Sequence, residues 1–181
     1  MATTRASIEA MQGNEDSPEF RIRPAVGGDL ETIAAIERAS YPNPWRLKTF
    51  ASLLRQRRAR VLVAEGDSGE VVGYAVFWWV MEQAELANIA VTSESRGQGF
   101  GAALLDRVLA EARERGVESL FLEVRASNQS ARRLYVSRGF AQISIRRGYY
   151  QNPREDALVL VRVLHPAPEG GSGVGKVDGT T

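Results

Sequence analysis

The sequence predicts a single α/β domain built on a mixed sheet, antiparallel in its first half and joined by a helical crossover to a parallel strand in its second. Short runs of alternating polarity separated by turn-forming residues fill the middle of the chain, which is the mark of an antiparallel meander. A long segment with apolar residues at helical spacing then lies between two strand-like runs, as a crossover requires. A length of 181 residues with 44% apolar content suits one domain able to bury a core.

Residues 1–18 are polar and without period and are expected to lack order; residues 165–181, with Gly170-Gly171-Ser172-Gly173, are expected to form a flexible tail. The folded domain is then 19–164. Phe20-Arg21-Ile22-Arg23 alternates as a short strand closed by Pro24, and Asp29 stands as the cap of a helical pattern carrying Leu30, Ile33, Ala34 and Ile36. A second helix is expected over Lys48–Arg57. Arg60–Glu65 and Val71–Val80 are expected strands joined by the turn Gly66-Asp67-Ser68-Gly69, with Glu85–Val91 as a third. Gly99–Arg115 repeats Leu104, Leu105, Val108, Leu109 and Ala112 at helical spacing, and Gly116 is placed to stop the helix. Val117–Val124 is mostly apolar, as a buried parallel strand should be. Gln129–Arg138 is a short helix capped by Ser127 or Asn128 and ended by Gly139, and Phe140–Arg147 and Ala157–Leu164 close the sheet.

Composition removes several classes of chemistry. With 23 Lys plus Arg against 22 Asp plus Glu there is no global field for nucleic acid or an anionic membrane. The basic cluster Arg55, Arg57, Arg58 and Arg60 is better read as helix-end charge than as an RNA contact. No cysteine is present and the one histidine, His165, falls at the end of the folded pattern, so Cys-His, Ser-His-Asp and zinc sites fall away together. The opening residues lack the basic-then-apolar order of a signal peptide, and the longest apolar run, Tyr74–Met81, is far too short to span a bilayer. A cytoplasmic protein is expected.

The most informative stretch is Ile89-Ala90-Val91 followed by Arg96-Gly97-Gln98-Gly99-Phe100-Gly101. Glycines directly after a strand and before a long helix leave main-chain N–H groups uncovered, and the helix N-terminus adds about half a positive charge there. Such a turn can hold a pyrophosphate with little help from side chains. It can equally serve only to pack helix on strand, so the turn alone does not decide. A P-loop is disfavoured because no Lys-Ser or Lys-Thr follows the glycines, and a dinucleotide fold because the preceding strands are antiparallel.

Arg96-Gly97-Gln98-Gly99-Phe100-Gly101 resembles the (Arg/Gln)-x-x-Gly-x-(Gly/Ala) signature of the GNAT superfamily of acetyl-CoA-dependent N-acetyltransferases. Leu122–Asn128, Leu134-Tyr135, Gly139-Phe140, Arg147–Tyr150 and Arg154–Ala157, with Pro44-Trp45 and Thr49-Phe50 upstream, are similar to RimI-type ribosomal-protein-alanine N-acetyltransferases. The resemblance runs from Phe20 to Leu164. It implies a GNAT-like, mostly antiparallel sheet of about seven strands with about four helices and a splay between the central parallel strands. It also implies acetyl-CoA as co-substrate, no metal, and acetyl transfer by direct attack in a ternary complex. The acceptor would be a protein's N-terminal α-amine, that of the alanine opening small-subunit ribosomal protein eighteen. The enzyme would be a monomer that requires no nucleic acid and no membrane.

The resemblance also implies roles. The pantetheine arm would bond the main chain of Ile89, Ala90 and Val91, and the pyrophosphate would rest on Arg96, Gly97, Gln98, Gly99, Phe100, Gly101 and Ala102. Asn128 would face the cofactor while capping its helix. Glu123 would be the base, with Glu85 in reserve, and Tyr135 the acid. The N–H of Val91 would be the oxyanion donor. Tyr41, Trp45, Glu85, Tyr149 and Tyr150 would receive the substrate, the first two from a loop and the last two from a turn. Glu82, Glu85, Glu155 and Asp156 would suit a basic peptide. An N-terminal amine, with a pKa of about 7.7 to 8.0, needs only a carboxylate as base, and a phenol near 10 can protonate a thiolate near 8.5. Gly97 stands where many relatives carry a basic residue, which shifts phosphate binding toward the backbone. The rival readings are acetylation of a small amine or an internal lysine, and a non-catalytic acyl-CoA sensor, which should lack Glu123 or Tyr135.

Overall fold

The computed structural model describes residues 20–164, so the expected N-terminal extension and the tail lie outside the described residues. Along the chain come β1 (Arg21–Pro24), α1 (Leu30–Ser40), α2 (Leu47–Leu53), β2 (Ala59–Glu65), β3 (Val71–Val80), β4 (Gln83–Val91), α3 (Phe100–Glu114), β5 (Ser119–Arg125), α4 (Gln129–Ser137), β6 (Ala141–Gln151) and β7 (Arg154–Val163), with single 3-10 turns at Gly27–Asp29 and Ser93–Ser95. The seven strands form one sheet in the order β1-β2-β3-β4-β5-β7-β6. All neighbours are antiparallel except β4 and β5, the pair that the α3 crossover joins.

The amphipathic helices decide what each face of the sheet buries. On one face the stripe Leu104, Leu105, Val108, Leu109 and Ala112 of α3 packs on Leu62, Ala75, Phe77, Leu86, Leu120 and Leu122. On the other, Ile33 and Ile36 of α1 and Phe50 and Leu53 of α2 pack on Val61, Val63, Tyr74 and Val76. Each fully buried leucine or isoleucine stabilises the fold by about 1.5–3 kcal/mol relative to exposure. α3 and α4 each end on a glycine: Val117 N–H donates to Ala112 O and Gly116 N–H to Arg113 O, and Phe140 and Gly139 repeat this on Tyr135 and Val136. The second of these stops also packs the Phe140 ring edge-on to Tyr135, with centroids 5.7 Å apart.

Three local expectations are corrected. Asp29 stands at the N-cap of α1 but makes no side-chain capping bond; its carboxylate instead accepts from Arg23 at 2.7 and 3.0 Å and from Val26 N–H at 2.8 Å, which locks the strand end to the 3-10 turn. The second helix stops at Leu53 rather than Arg57, because its bonds tighten into turns (Arg55 N–H to Ser52 O, Gln56 N–H to Leu53 O) that swing the chain into β2. Tyr149 and Tyr150 lie in β6 and not in a turn: pairing continues through Tyr150↔Glu155 to Gln151↔Arg154, so the hairpin is longer than its apolar pattern.

The feature that builds a site is a break in the central pairing. β4 and β5 pair only from Gln83↔Ser119 to Leu86↔Leu122 and then part. At the same level β4 carries a bulge: Leu86 opposes Phe77 and Asn88 opposes Val76, leaving Ala87 extra. A bulge bends its strand, and here it turns β4 away from β5.

Candidate functional site

Beyond the bulge, the outer edge of β4 faces an opening. Thr92 N–H donates to Val72 O at 2.8 Å, so by strand alternation the main-chain groups of Val91 and Ile89 point the other way, into the splay. Their carbonyls are reached from outside the sheet, Ile89 O by the Tyr41 hydroxyl at 2.8 Å and Val91 O by Arg96 Nε at 3.2 Å.

The glycine turn follows. Gly97 and Gly99 have φ of 77° and 100°, in the left-handed region. A Cβ on Gly97 would meet nothing, whereas one on Gly99 would come within 2.7 Å of the Phe20 ring. The first helical bond is Ala103 N–H to Gly99 O, and among the described residues the six successive N–H groups of residues 97–102 donate to no protein acceptor. A row of free donors at the start of a 15-residue helix fits a pyrophosphate. Arg96, Gly97, Gly99, Gly101 and Ala102 line a cavity of about 560 Å³ together with Ile89, Ala90, Val91 and Asn128. The side chains of Gln98 and Phe100 turn elsewhere: Gln98 Nε2 bonds Glu94 O at 2.8 Å, and the Phe100 ring packs on Phe20 at 5.0 Å, so only their N–H groups are available.

A second cavity, of about 400 Å³, opens on the α1 side of the sheet, and Tyr41, Ile89, Glu123, Asn128 and Tyr135 line both. Glu123 is the first β5 residue past the last β4 pair, so the break in pairing leaves its side chain at the junction. It pairs with Arg146 at 2.7 Å and not with Arg125, which bonds Glu155 at 3.2 Å and lies over the Tyr150 ring at 4.0 Å. The Glu123 carboxylate also lines the cavity with Tyr149 and pushes that phenol up. Tyr135 is 5% exposed, and burial pushes its phenol well above the usual value. Its hydroxyl has no hydrogen-bond partner among the described residues. Asn128 caps α4, its Oδ1 accepting from Ala131 N–H at 3.1 Å. Trp45, in the loop after α1, stacks on Trp78 at 6.2 Å, and Trp78 Nε1 donates to Glu85 at 3.2 Å. Tyr41, Trp45, Glu85, Tyr149 and Tyr150 therefore all line the second cavity.

Two of the acidic residues expected to serve a basic peptide do other work. Glu155 accepts from Ser127 N–H and Arg125, and Asp156 from Gly148 N–H and Arg147; these contacts hold both carboxyls below their usual range and tie down the hairpin. The basic cluster lies off the site: Arg60 reaches Glu111 at 3.8 Å and the Trp79 ring at 5.4 Å. Among the described residues no three His, Cys, Asp or Glu side chains are grouped to hold a metal, and no helix is long and apolar enough to cross a membrane.

Sequence reasoning missed Glu37. It is 1% exposed, has no cationic partner among the described residues, and accepts from the Tyr74 hydroxyl, from Trp45 N–H at 2.8 Å and from Asn88 Nδ2 at 3.2 Å. The signal was present, because Glu37 falls four residues after Ile33 and three after Ala34, inside the apolar stripe of α1. Asn88 also follows from the bulge, which puts Ala87 and Asn88 consecutively on the α1 side.

Comparison with known proteins agrees with this arrangement. Residues 30–140 match the acetyltransferase (GNAT) family. The [ribosomal protein bS18]-alanine N-acetyltransferase of Escherichia coli K12 is 40% identical over 134 residues, 73% of this chain and 89% of that protein. Its Haemophilus influenzae counterpart is 36% identical over 139 residues, covering 75% and 93%. The crystal structure of the E. coli ribosomal-protein-S18-alanine N-acetyltransferase superposes with a TM-score of 0.75 at 37% identity, over 83% of this chain and 97% of that one. The chain belongs to the acetyltransferase (GNAT) family, beside its ribosomal-protein-alanine N-acetyltransferases.

Proposed function

We propose that the protein transfers the acetyl group of acetyl-CoA to the N-terminal α-amine of a protein, that of the alanine opening ribosomal protein bS18. The reading rests above all on the two cavities meeting at Glu123 and Tyr135. It is supported by relatives named for that activity at up to 40% identity. We further assign it to the cytoplasm, as a monomer whose transferase unit is residues 19–164.

Acetyl-CoA, the co-substrate general to the family, supplies the acetyl group as a thioester. The free N–H groups of residues 97–102 would hold its pyrophosphate and the splayed edge of β4 its pantetheine arm. The Glu123 carboxylate, directly or through a water, takes the proton of the incoming ammonium so that the neutral amine attacks. The N–H of Val91, aimed into the splay, donates to the carbonyl oxygen as negative charge builds there. A C–N bond forms as the C–S bond breaks; the Tyr135 hydroxyl gives its proton to the departing sulfur and is restored by the proton the acylated nitrogen sheds, while Glu123 releases its own to solvent. Burial raises that phenol, and the same dry surroundings disfavour a thiolate, so donation stays favourable. Glu123→Gln and Tyr135→Phe should each lower kcat about 100-fold or more with acetyl-CoA binding unchanged, measured by steady-state rates and calorimetry. Full activity in either variant would remove that residue from the mechanism.

A further inference from the structure

The face of the sheet that carries Glu123 is only half covered. α1 and α2 pack on β2, β3 and β4, and the core beneath them takes no residue from β5, β7 or β6. The register sets Phe121 between Glu85 and Val161, and Glu123 beside Val159. Phe121 and Val159 are half-buried on this bare half, and Val80, at its border, is 61% exposed. A groove of about 460 Å³ runs over Phe121 and Val159 between walls that include Trp78, Val80, Arg146 and Tyr149. It shares Trp78, Glu85, Glu123 and Tyr149 with the acceptor cavity and so continues it.

We infer that this groove is a subsite for the acceptor peptide beyond its first residue, and that it takes an apolar or aromatic side chain at the third. The inference rests on the N-terminal transfer proposed above, with the reacting amine at Glu123. An extended chain advances about 3.3 Å per residue and returns a side chain to the same side every second residue. Phe121 lies two residues back from Glu123 on β5, so a peptide laid along β5 sets its third side chain over Phe121 and Val159. Its second side chain points away from the sheet. A second copy or a separate partner seated on this face would cover Glu85 and Tyr149 and close the acceptor cavity; the acceptor's own chain is the occupant compatible with turnover.

The test uses peptides beginning Ala-Ser-Phe, Ala-Ser-Ser and Ala-Ser-Asp and otherwise identical. Read-outs are kcat/KM at saturating acetyl-CoA and the binding of N-acetylated, C-terminally labelled forms by fluorescence anisotropy. The Phe peptide should exceed the other two by about tenfold in both. Phe121→Ser should reduce that preference below about twofold, read as the ratio of kcat/KM for the Phe and Ser peptides, and Val159→Ser should weaken it as a milder change to the same floor. Equal values for the three peptides on the intact protein, or a preference that survives both substitutions, would overturn the subsite. Transfer without third-residue dependence removes the subsite and leaves the activity standing. Third-residue-dependent binding with no transfer to any α-amine keeps the subsite and removes the activity. Neither transfer nor binding removes both.

Discussion

Glu37 puts a carboxylate in a nearly water-free position and, among the described residues, satisfies it with neutral donors and no cation: the Tyr74 hydroxyl, Trp45 N–H and the Asn88 amide. One side chain thereby ties α1 to the loop that carries Trp45 and to the bulge that opens the splay. Glu37→Ala would leave those donors buried and unpaired, at about 1–3 kcal/mol for each. Urea unfolding should show a loss of at least about 3 kcal/mol, and in material that still folds the peptide KM should rise with the acetyl-CoA KM unchanged. A variant as stable as the parent would mean that the network is dispensable. Tyr135 bears a pH prediction. Burial favours its neutral form, so if Tyr135 is the acid, as proposed, the donor persists to higher pH than a solvated phenol, and kcat should not fall up to about pH 10. A decline centred near pH 8 to 9 would point to another acid.

At the scale of elements, the glycine turn and the β4–β5 break do the organising. Gly97 and Gly99 both sit at positive φ, yet only Gly99 is crowded, by Phe20. Gly97→Ala should cost about 1 kcal/mol, the strain of a left-handed alanine. Gly99→Ala adds a steric clash at the first turn of α3 and should cost more, with weaker acetyl-CoA binding; thermal unfolding with and without acetyl-CoA checks the order. The elements themselves were legible because their signals are local: alternation in β2 and β3, a 3.6-residue stripe in α3, and glycine stops at Gly116 and Gly139. The bulge at Ala87 was not, because it depends on how β4 registers against β3, which no local pattern encodes. The same holds for Arg146 on Glu123, a contact set by the register of three strands. Tyr149 and Tyr150, expected in a turn from the resemblance, stay in the hairpin, where Asp156 accepts from Gly148 N–H at 2.8 Å.

For the whole molecule, one sheet is divided by function. β1 to β4 and their helices build one side, β5 to β7 complete the far wall, and the two cavities meet where the two parallel strands part. If residues 19–164 are the full transferase unit, a chain trimmed to them should keep kcat/KM within about twofold of the intact protein; a loss of about tenfold or more would place part of the site in the ends. The measurement that bears most directly on the account is acetyl transfer from acetyl-CoA to a peptide with a free N-terminal alanine. The control is the same peptide with its N-terminus blocked and one internal lysine free, each product located by mass spectrometry. The account predicts a single acetyl on the α-amine of the first and none on the second; acetylation of the lysine alone would contradict it.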